Sequence, residues 1–157
     1  MKSILFICTG NVFRSVTAEY ALKARLGPEM RMIVGSAGIV AKPQSLHPMI
    51  VDYLRAKGAD PSAHVQRKLT RELLEHVDLA VAMGIDHREF IKEQFGREVP
   101  LFNQVCFARE EPVLDLHEVM PDWASDMDAA SVYVQSVVDH IWDAAPAFLE
   151  RLPAFRL

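Results

Sequence analysis

Ile4-Leu5-Phe6-Ile7-Cys8-Thr9-Gly10-Asn11-Val12-Phe13-Arg14-Ser15 is the stretch from which the rest of the chain can be read. Its first four residues form a continuous apolar run, the pattern of a strand buried on both faces in a parallel sheet covered by helices. From Ser15 to Leu26 the apolar positions Ala18, Ala21, Leu22 and Leu26 recur at helical spacing, and Gly27-Pro28 supplies a stop. The pattern predicts a strand, a short loop and a helix, with Cys8 at the strand's end.

Outward from there the same alternation continues. Met30 to Val34 reads as a second strand and Pro48 to Lys57 as a helix ended by Gly58. Asp78 to Met83 is a third apolar run, Asp86 to Phe95 a helix ended by Gly96, and Val99 to Phe102 a fourth strand. A last helix carries Ala130, Tyr133, Val134, Val137, Val138, Ile141, Ala145 and Leu149 on one stripe, and Pro146 is expected to kink or divide it near Ala145. Strands alternating with helices predict an α/β domain with a parallel sheet, in which ligands bind beyond the carboxyl ends of the strands.

The spacing Cys8-x5-Arg14-Ser15, set between a buried strand and a helix start, gives each residue a task. Free amides at a helix N-terminus and in the preceding loop converge on an anion, and the helix dipole adds about half a positive charge there. A thiol in that field, beside a guanidinium, is favoured as the nucleophilic thiolate, so Cys8 is the attacking group. Arg14 offers a planar fork that holds two phosphoryl oxygens. Thr9, Gly10, Asn11, Val12 and Phe13 form the cradle between them: Gly10 lets the backbone bend toward the phosphate, and Asn11 tolerates a left-handed conformation. The Ser15 hydroxyl is placed to bond the sulfur and help it leave. The bland alternative is that Cys8 is a small buried hydrophobe at a strand end.

The remaining composition narrows the field. A length of 157 residues fits a single domain spanning 1–157, and half the residues are hydrophobic with about a quarter charged. The net charge of -4 and pI near 5.8 disfavour sequence-independent binding to nucleic acid or an anionic membrane. The apolar run at Ile4 to Ile7 is too short for a signal-peptide core or a membrane span, so a cytoplasmic location is expected. Cys8 and Cys106 lie far apart with no CxxC or partner histidine, so no disulfide framework and no metal site is suggested, and no cofactor is called for. His47, His76, His87, His117 and His140 are read as surface residues.

With these residues in place, the sequence resembles the low-molecular-weight protein-tyrosine-phosphatases, whose N-terminal signature is a hydrophobic strand followed by C-x-G-N-x-C-R-S-P and usually Ala-Glu. Cys8, Gly10, Asn11, Arg14, Ser15, Ala18 and Glu19 match. Further similarity lies in Ser36-Ala37-Gly38, in His64-Val65-Gln66-Arg67-Lys68-Leu69-Thr70, in Asp78 through Met83 and in Val132-Tyr133. The resemblance implies a flavodoxin-like, four-stranded parallel sheet with helices on both faces. It also implies a phosphocysteine intermediate on Cys8, a loop braced by Asn11, Ser15, Ser36 and His64, and a phosphotyrosine protein or small aryl phosphate as substrate.

Three departures stand out. Phe13 replaces a second cysteine and Val16 a proline. The third concerns the general acid: the family carries Asp-Pro-aromatic ahead of the last helix, whereas this chain reads Glu118-Val119-Met120-Pro121-Asp122-Trp123. Counting back from Val132-Tyr133 puts Met120 on that aspartate. Pairing Pro121-Asp122 with the family's frequent Pro-Asp makes Asp122 the acid and is preferred; otherwise Asp122 is a turn residue after proline. Trp123 either walls the pocket where the family has tyrosines or packs beneath a loop.

Three other functions compete. A thioredoxin-coupled arsenate reductase shares the fold and a Cys-Thr-Gly-Asn start, but needs a relay of cysteines after the third strand, where this chain has Met83-Gly84-Ile85-Asp86. A flavodoxin-like carrier would not need Cys8 and Arg14. A catalytically weak relative that only binds phosphate is the third.

Overall fold

The computed structural model of the chain describes residues 2–155. β1 (Lys2–Cys8) lies between β2 (Met32–Gly38) and β3 (Leu79–Ala82), and both pairings are parallel. Side chains alternate along β1. Ile4, Phe6 and Cys8 enter a core built with α1 (Arg14–Arg25), α2 (Pro48–Ala56), α5 (Phe102–Phe107) and α7 (Met127–Arg151). Leu5 and Ile7 enter a second core with α3 (Arg71–Glu75) and α4 (Ile85–Phe95). Helices on both faces explain why the β1 run is apolar without alternation. The short α6 (Leu116–Val119) and a 3-10 turn (Trp123–Ser125) lead into α7.

Three expectations are corrected. The sheet has three strands among the described residues, not four: Leu101 forms only an isolated parallel bridge with Ala82, whose N–H donates to Pro100 at 2.9 Å. Pro100 has no N–H with which to extend a ladder, and α5 takes over at Phe102. The second strand runs to Gly38 rather than Val34. Gly35-Ser36-Ala37-Gly38 lacks the branched residues that signal a strand, but it packs where larger side chains would not fit.

Pro146 does not divide α7, which continues for 25 residues through it. The carbonyl that a proline orphans is that of Trp142, four residues earlier, and it accepts from Arg25 Nη2 at 3.2 Å. The Arg25 guanidinium also lies 5.1 Å from the Trp142 ring centre. Among the described residues no helix is long and apolar enough to cross a membrane.

Candidate active site

The carboxyl ends of the three strands converge on the loop after β1. Ile39 N–H donates to Cys8 O at 3.0 Å, Val40 N–H to Thr9 O at 2.9 Å and Met83 N–H to Ile7 O at 2.9 Å. Asn11 adopts the left-handed conformation, φ 56°. α1 then starts after Phe13 with no side chain capping it. Among the described residues no carbonyl accepts from the amides of Gly10 to Phe13. Uncapped first-turn amides beside free loop amides are an anion cradle. Gly38 backs directly onto this loop: a Cβ there would stand 2.7 Å from Thr9 O and 2.8 Å from Asn11 N.

Beneath the loop runs a directed chain of hydrogen bonds. The backbone N–H of Arg67 donates to Asn11 Oδ1 at 3.0 Å, which fixes the amide's orientation. Asn11 Nδ2 therefore donates to Ser15 Oγ at 2.9 Å and to Ser36 Oγ at 2.8 Å. Ser36 donates in turn to the buried Glu19 carboxylate at 2.6 Å. With its oxygen already accepting from Asn11, Ser15 has its own proton free for Cys8 Sγ, 2.9 Å away. His64 Nε2 lies 3.1 Å from Asn11 O, tying the loop from the other side.

Arg14 is 2% exposed, so its charge has to be matched inside the fold. Nη1 donates to Val113 O at 2.8 Å and Nη2 to Thr9 Oγ1 at 3.4 Å. Asp115 Oδ2 lies 4.0 Å from Nη2 and Glu118 Oε1 3.6 Å from Nη1. The segment bearing Asp115 is pinned: Val113 N–H donates to Met83 O at 2.8 Å and Tyr133 donates its hydroxyl to Leu114 O at 2.5 Å. Asp115 caps α6 through Oδ1, bonded to Leu116 N–H at 2.9 Å, which leaves Oδ2 toward Arg14. It lines a cavity of about 280 Å³ whose other walls include Val12, Phe13, His47, Ile50 and Trp123.

The chain as a whole has known relatives. The sequence model of the low molecular weight phosphotyrosine protein phosphatases matches residues 3–153. The chain belongs to that family. The protein-arginine-phosphatase of Bacillus subtilis (strain 168) is 35% identical over 128 residues, 80% of this chain and 82% of that protein. The low molecular weight protein-tyrosine-phosphatase Etp of Escherichia coli (strain K12) is 35% identical over 86 residues, 55% of this chain and 57% of that one. A YwlE mutant from Bacillus subtilis superposes with a TM-score of 0.81 at 29% identity, covering 98% of this chain and 99% of that structure. The reaction class is that of phosphoric monoester hydrolases.

Of the residues singled out from the sequence, the phosphatase fold brings together Cys8, Thr9, Gly10, Asn11, Arg14, Ser15, Ser36 and His64. Val12, Phe13 and Trp123 share the cavity wall. Trp123 donates Nε1–H to His117 Nδ1 at 3.2 Å. Gly10 has no positive φ, and a Cβ there would meet only Val12 Cγ2 at 3.4 Å, so the glycine that close packing demands is Gly38. Phe13 and Val16, the departures from the family signature, are buried in or against the core.

Asp122 is not brought to the site. It is exposed, precedes the 3-10 turn, and lines a separate hollow with Pro121 to Ser125. Among the described residues no hydrogen bond or ion pair joins it to Cys8 or Arg14. Two carboxylates stand beside Arg14, Glu118 at 3.6 Å and Asp115 at 4.0 Å, and of the two Asp115 lines the cavity. Asp115 is followed by Leu116 and not by proline, so the Asp-Pro pattern does not mark it. Its readable signal was Asp115-x-x-Glu118, a capping box: Glu118 Oε1 accepts from Asp115 N–H at 2.9 Å. His87 was expected on the surface and is wholly buried against Thr9 and Arg14. Burial and the Arg14 charge lower its pKa to about 4.

Proposed function

We propose that this phosphatase hydrolyses aryl phosphate monoesters, phosphotyrosine in proteins among them, through a phosphocysteine on Cys8, within one domain working in the cytoplasm. The Cys8 thiolate attacks phosphorus as Arg14 and the loop amides hold the three equatorial oxygens, and the bond from phosphorus to the phenolic oxygen breaks. Asp115 gives its carboxyl proton to the departing phenolate. In the second step the Asp115 carboxylate takes a proton from water, the water oxygen bonds to phosphorus, and the sulfur leaves as thiolate, stabilised by the Ser15 proton. The observation that carries this reading is the buried Arg14, with Asp115 at 4.0 Å and its loop running back to a Cys8 whose sulfur meets Ser15 at 2.9 Å.

The side walls favour an aromatic substrate. Val12, Phe13, Ile50, Leu116 and Trp123 give apolar surface for a phenyl ring. Phosphoarginine is the second reading, favoured by the 35% identity to a protein-arginine-phosphatase. Among the described residues that line the cavity, one carboxylate, Asp115, faces its guanidino group, and Glu118 stands outside that lining. An arsenate reductase reading has no support in the cysteines, since Cys106 is buried and no other thiol accompanies Cys8.

The test is hydrolysis of a phosphotyrosyl and a phosphoarginyl peptide by wild type and Cys8→Ser, with acid-quenched mass spectrometry of the Cys8 peptide. Phosphate on Cys8 and a higher kcat/KM for phosphotyrosine are expected. Activity surviving in Cys8→Ser sinks the mechanism, and a preference for phosphoarginine sinks the substrate assignment.

A further inference from the structure

Resting on the reading of Arg14 as the group that holds the phosphoryl oxygens, we propose that His87 is a positioning residue that sets the Arg14 guanidinium through the hydroxyl of Thr9. The sequence offered no hint of this, since His87 lies 73 positions from Arg14 and 78 from Thr9.

The argument begins with a proton whose place is fixed. The backbone N–H of Gly84 lies 3.0 Å from His87 Nδ1, and an amide only donates, so Nδ1 is the bare nitrogen. Nε2 therefore carries the ring proton and donates it to Thr9 Oγ1 at 2.8 Å. Arg14 Nη2 is 3.5 Å from the same Nε2, but two nitrogens that both carry protons do not bond. The guanidinium turns instead to Thr9 Oγ1 at 3.4 Å. Both acceptor positions of that hydroxyl are then filled, one by His87 and one by Arg14, and its proton is free for a third partner.

The consequence is a guanidinium held at two places before any phosphate arrives. Val113 O takes Nη1 and the Thr9 hydroxyl, oriented by His87, takes Nη2. Donors fixed in advance need no reorganisation as charge develops on the phosphoryl group. The chemistry also asks for a neutral ring. A protonated imidazole would set a second cation against Arg14 and oppose its Nδ1 proton to the Gly84 N–H. The groups facing the ring are Arg14 from α1, Thr9 from the loop, Asp115 from the segment before α6, and Asp86, whose Oδ2 is 3.5 Å from Nε2. Gly84 contributes its small size as well, because a Cβ there would stand 3.1 Å from Nδ1.

The experiment is a double-mutant cycle on inorganic phosphate binding, measured by calorimetry for wild type, Thr9→Val, His87→Gln and the double variant. Each single change is expected to weaken phosphate about three- to tenfold, the worth of one hydrogen bond, and the double to be no weaker than the poorer single. Losses that multiply overturn the proposal. Binding is read without turnover, so an enzyme that fails to phosphorylate Cys8 yet keeps this cycle defeats the catalytic reading alone. Should His87→Gln fail to fold, long-range proton–nitrogen NMR of the wild-type imidazole decides: a proton on Nε2 at neutral pH is expected, and a proton on Nδ1 overturns the proposal.

Discussion

Arg14 donates from Nη1 to the carbonyl of Val113 at 2.8 Å, joining two residues 99 positions apart in the chain. Val113 stands two residues before Asp115, so the side chain placed to grip phosphate also anchors the segment that carries the carboxylate. In the proposed reaction one guanidinium thereby ties the phosphate-binding group to the acid's segment, and Met83 O and the Tyr133 hydroxyl hold that segment from behind.

Asp115→Asn is expected to lower kcat for phenyl phosphate about 10²–10³-fold, within the usual contribution of a general acid. The loss should shrink with a nitrophenyl substrate, whose phenolate leaves without help. Asp122→Asn should change neither by more than about twofold. Steady-state kinetics of both variants on both substrates checks this, and an Asp122 defect that grows with leaving-group basicity would return the acid role to that residue.

Gly38→Ala tests the contact between β2 and the loop. The added methyl meets backbone atoms at Thr9 and Asn11, which have no room to retreat without moving the cradle. A stability loss of about 1–3 kcal/mol is expected, with a larger proportional loss of phosphate affinity. Gly10→Ala, whose methyl meets only a flexible valine methyl at 3.4 Å, should be milder in both. Urea titration and phosphate calorimetry on the two variants give the comparison.

How far the sequence was legible follows from which forces are local. The Ile4 to Ile7 run, the helix that follows and the Cys8 to Ser15 spacing announce themselves because burial on both strand faces and an uncapped helix start leave a mark in consecutive residues. The strand over Met32–Gly38 extends past Val34 through residues whose smallness answers distant neighbours, Gly35 against the Arg67 side chain and Gly38 against the loop, a long-range demand that resembles a turn locally. The fourth strand was read from apolar content in which Pro100 had already removed a donor. Asp115 and His87 escaped for another reason. Each is defined by what it faces, Arg14 and Thr9, and no periodicity along the chain records a partner from another element.

Cys106 should be chemically silent. Burial pushes its thiol up to about 12, and among the described residues its Sγ hydrogen-bonds only to Ala144 O, at 3.7 Å. Iodoacetamide at neutral pH is expected to label Cys8 alone, with inorganic phosphate slowing the reaction. Peroxide should then inactivate the enzyme without forming a disulfide, because Phe13 replaces the neighbouring thiol and Cys106 supplies no thiolate. Peptide mapping checks both points, and a Cys8-containing disulfide reversed by thiols would refute the second.

The pH dependence of stability should carry the signature of His87. Its pKa falls from 6.5 to about 4 on folding, first by desolvation and then by the Arg14 charge. Between those values the unfolded chain binds a proton that the folded chain refuses, so this contribution is intact above about pH 6.5 and declines as pH falls toward 4. One proton of difference corresponds to a slope of at most about 1.4 kcal/mol per pH unit. The carboxylates whose values are lowered on folding, Asp60, Asp78 and Asp139, start from 3.8 and so weaken the fold only at more acid pH. Urea unfolding from pH 7 to 4.5 should therefore show wild type losing stability more steeply than His87→Gln, which has no proton to take up. Parallel slopes would mean that the buried imidazole titrates alike in both states, contrary to its enclosure between Gly84, Thr9 and Arg14.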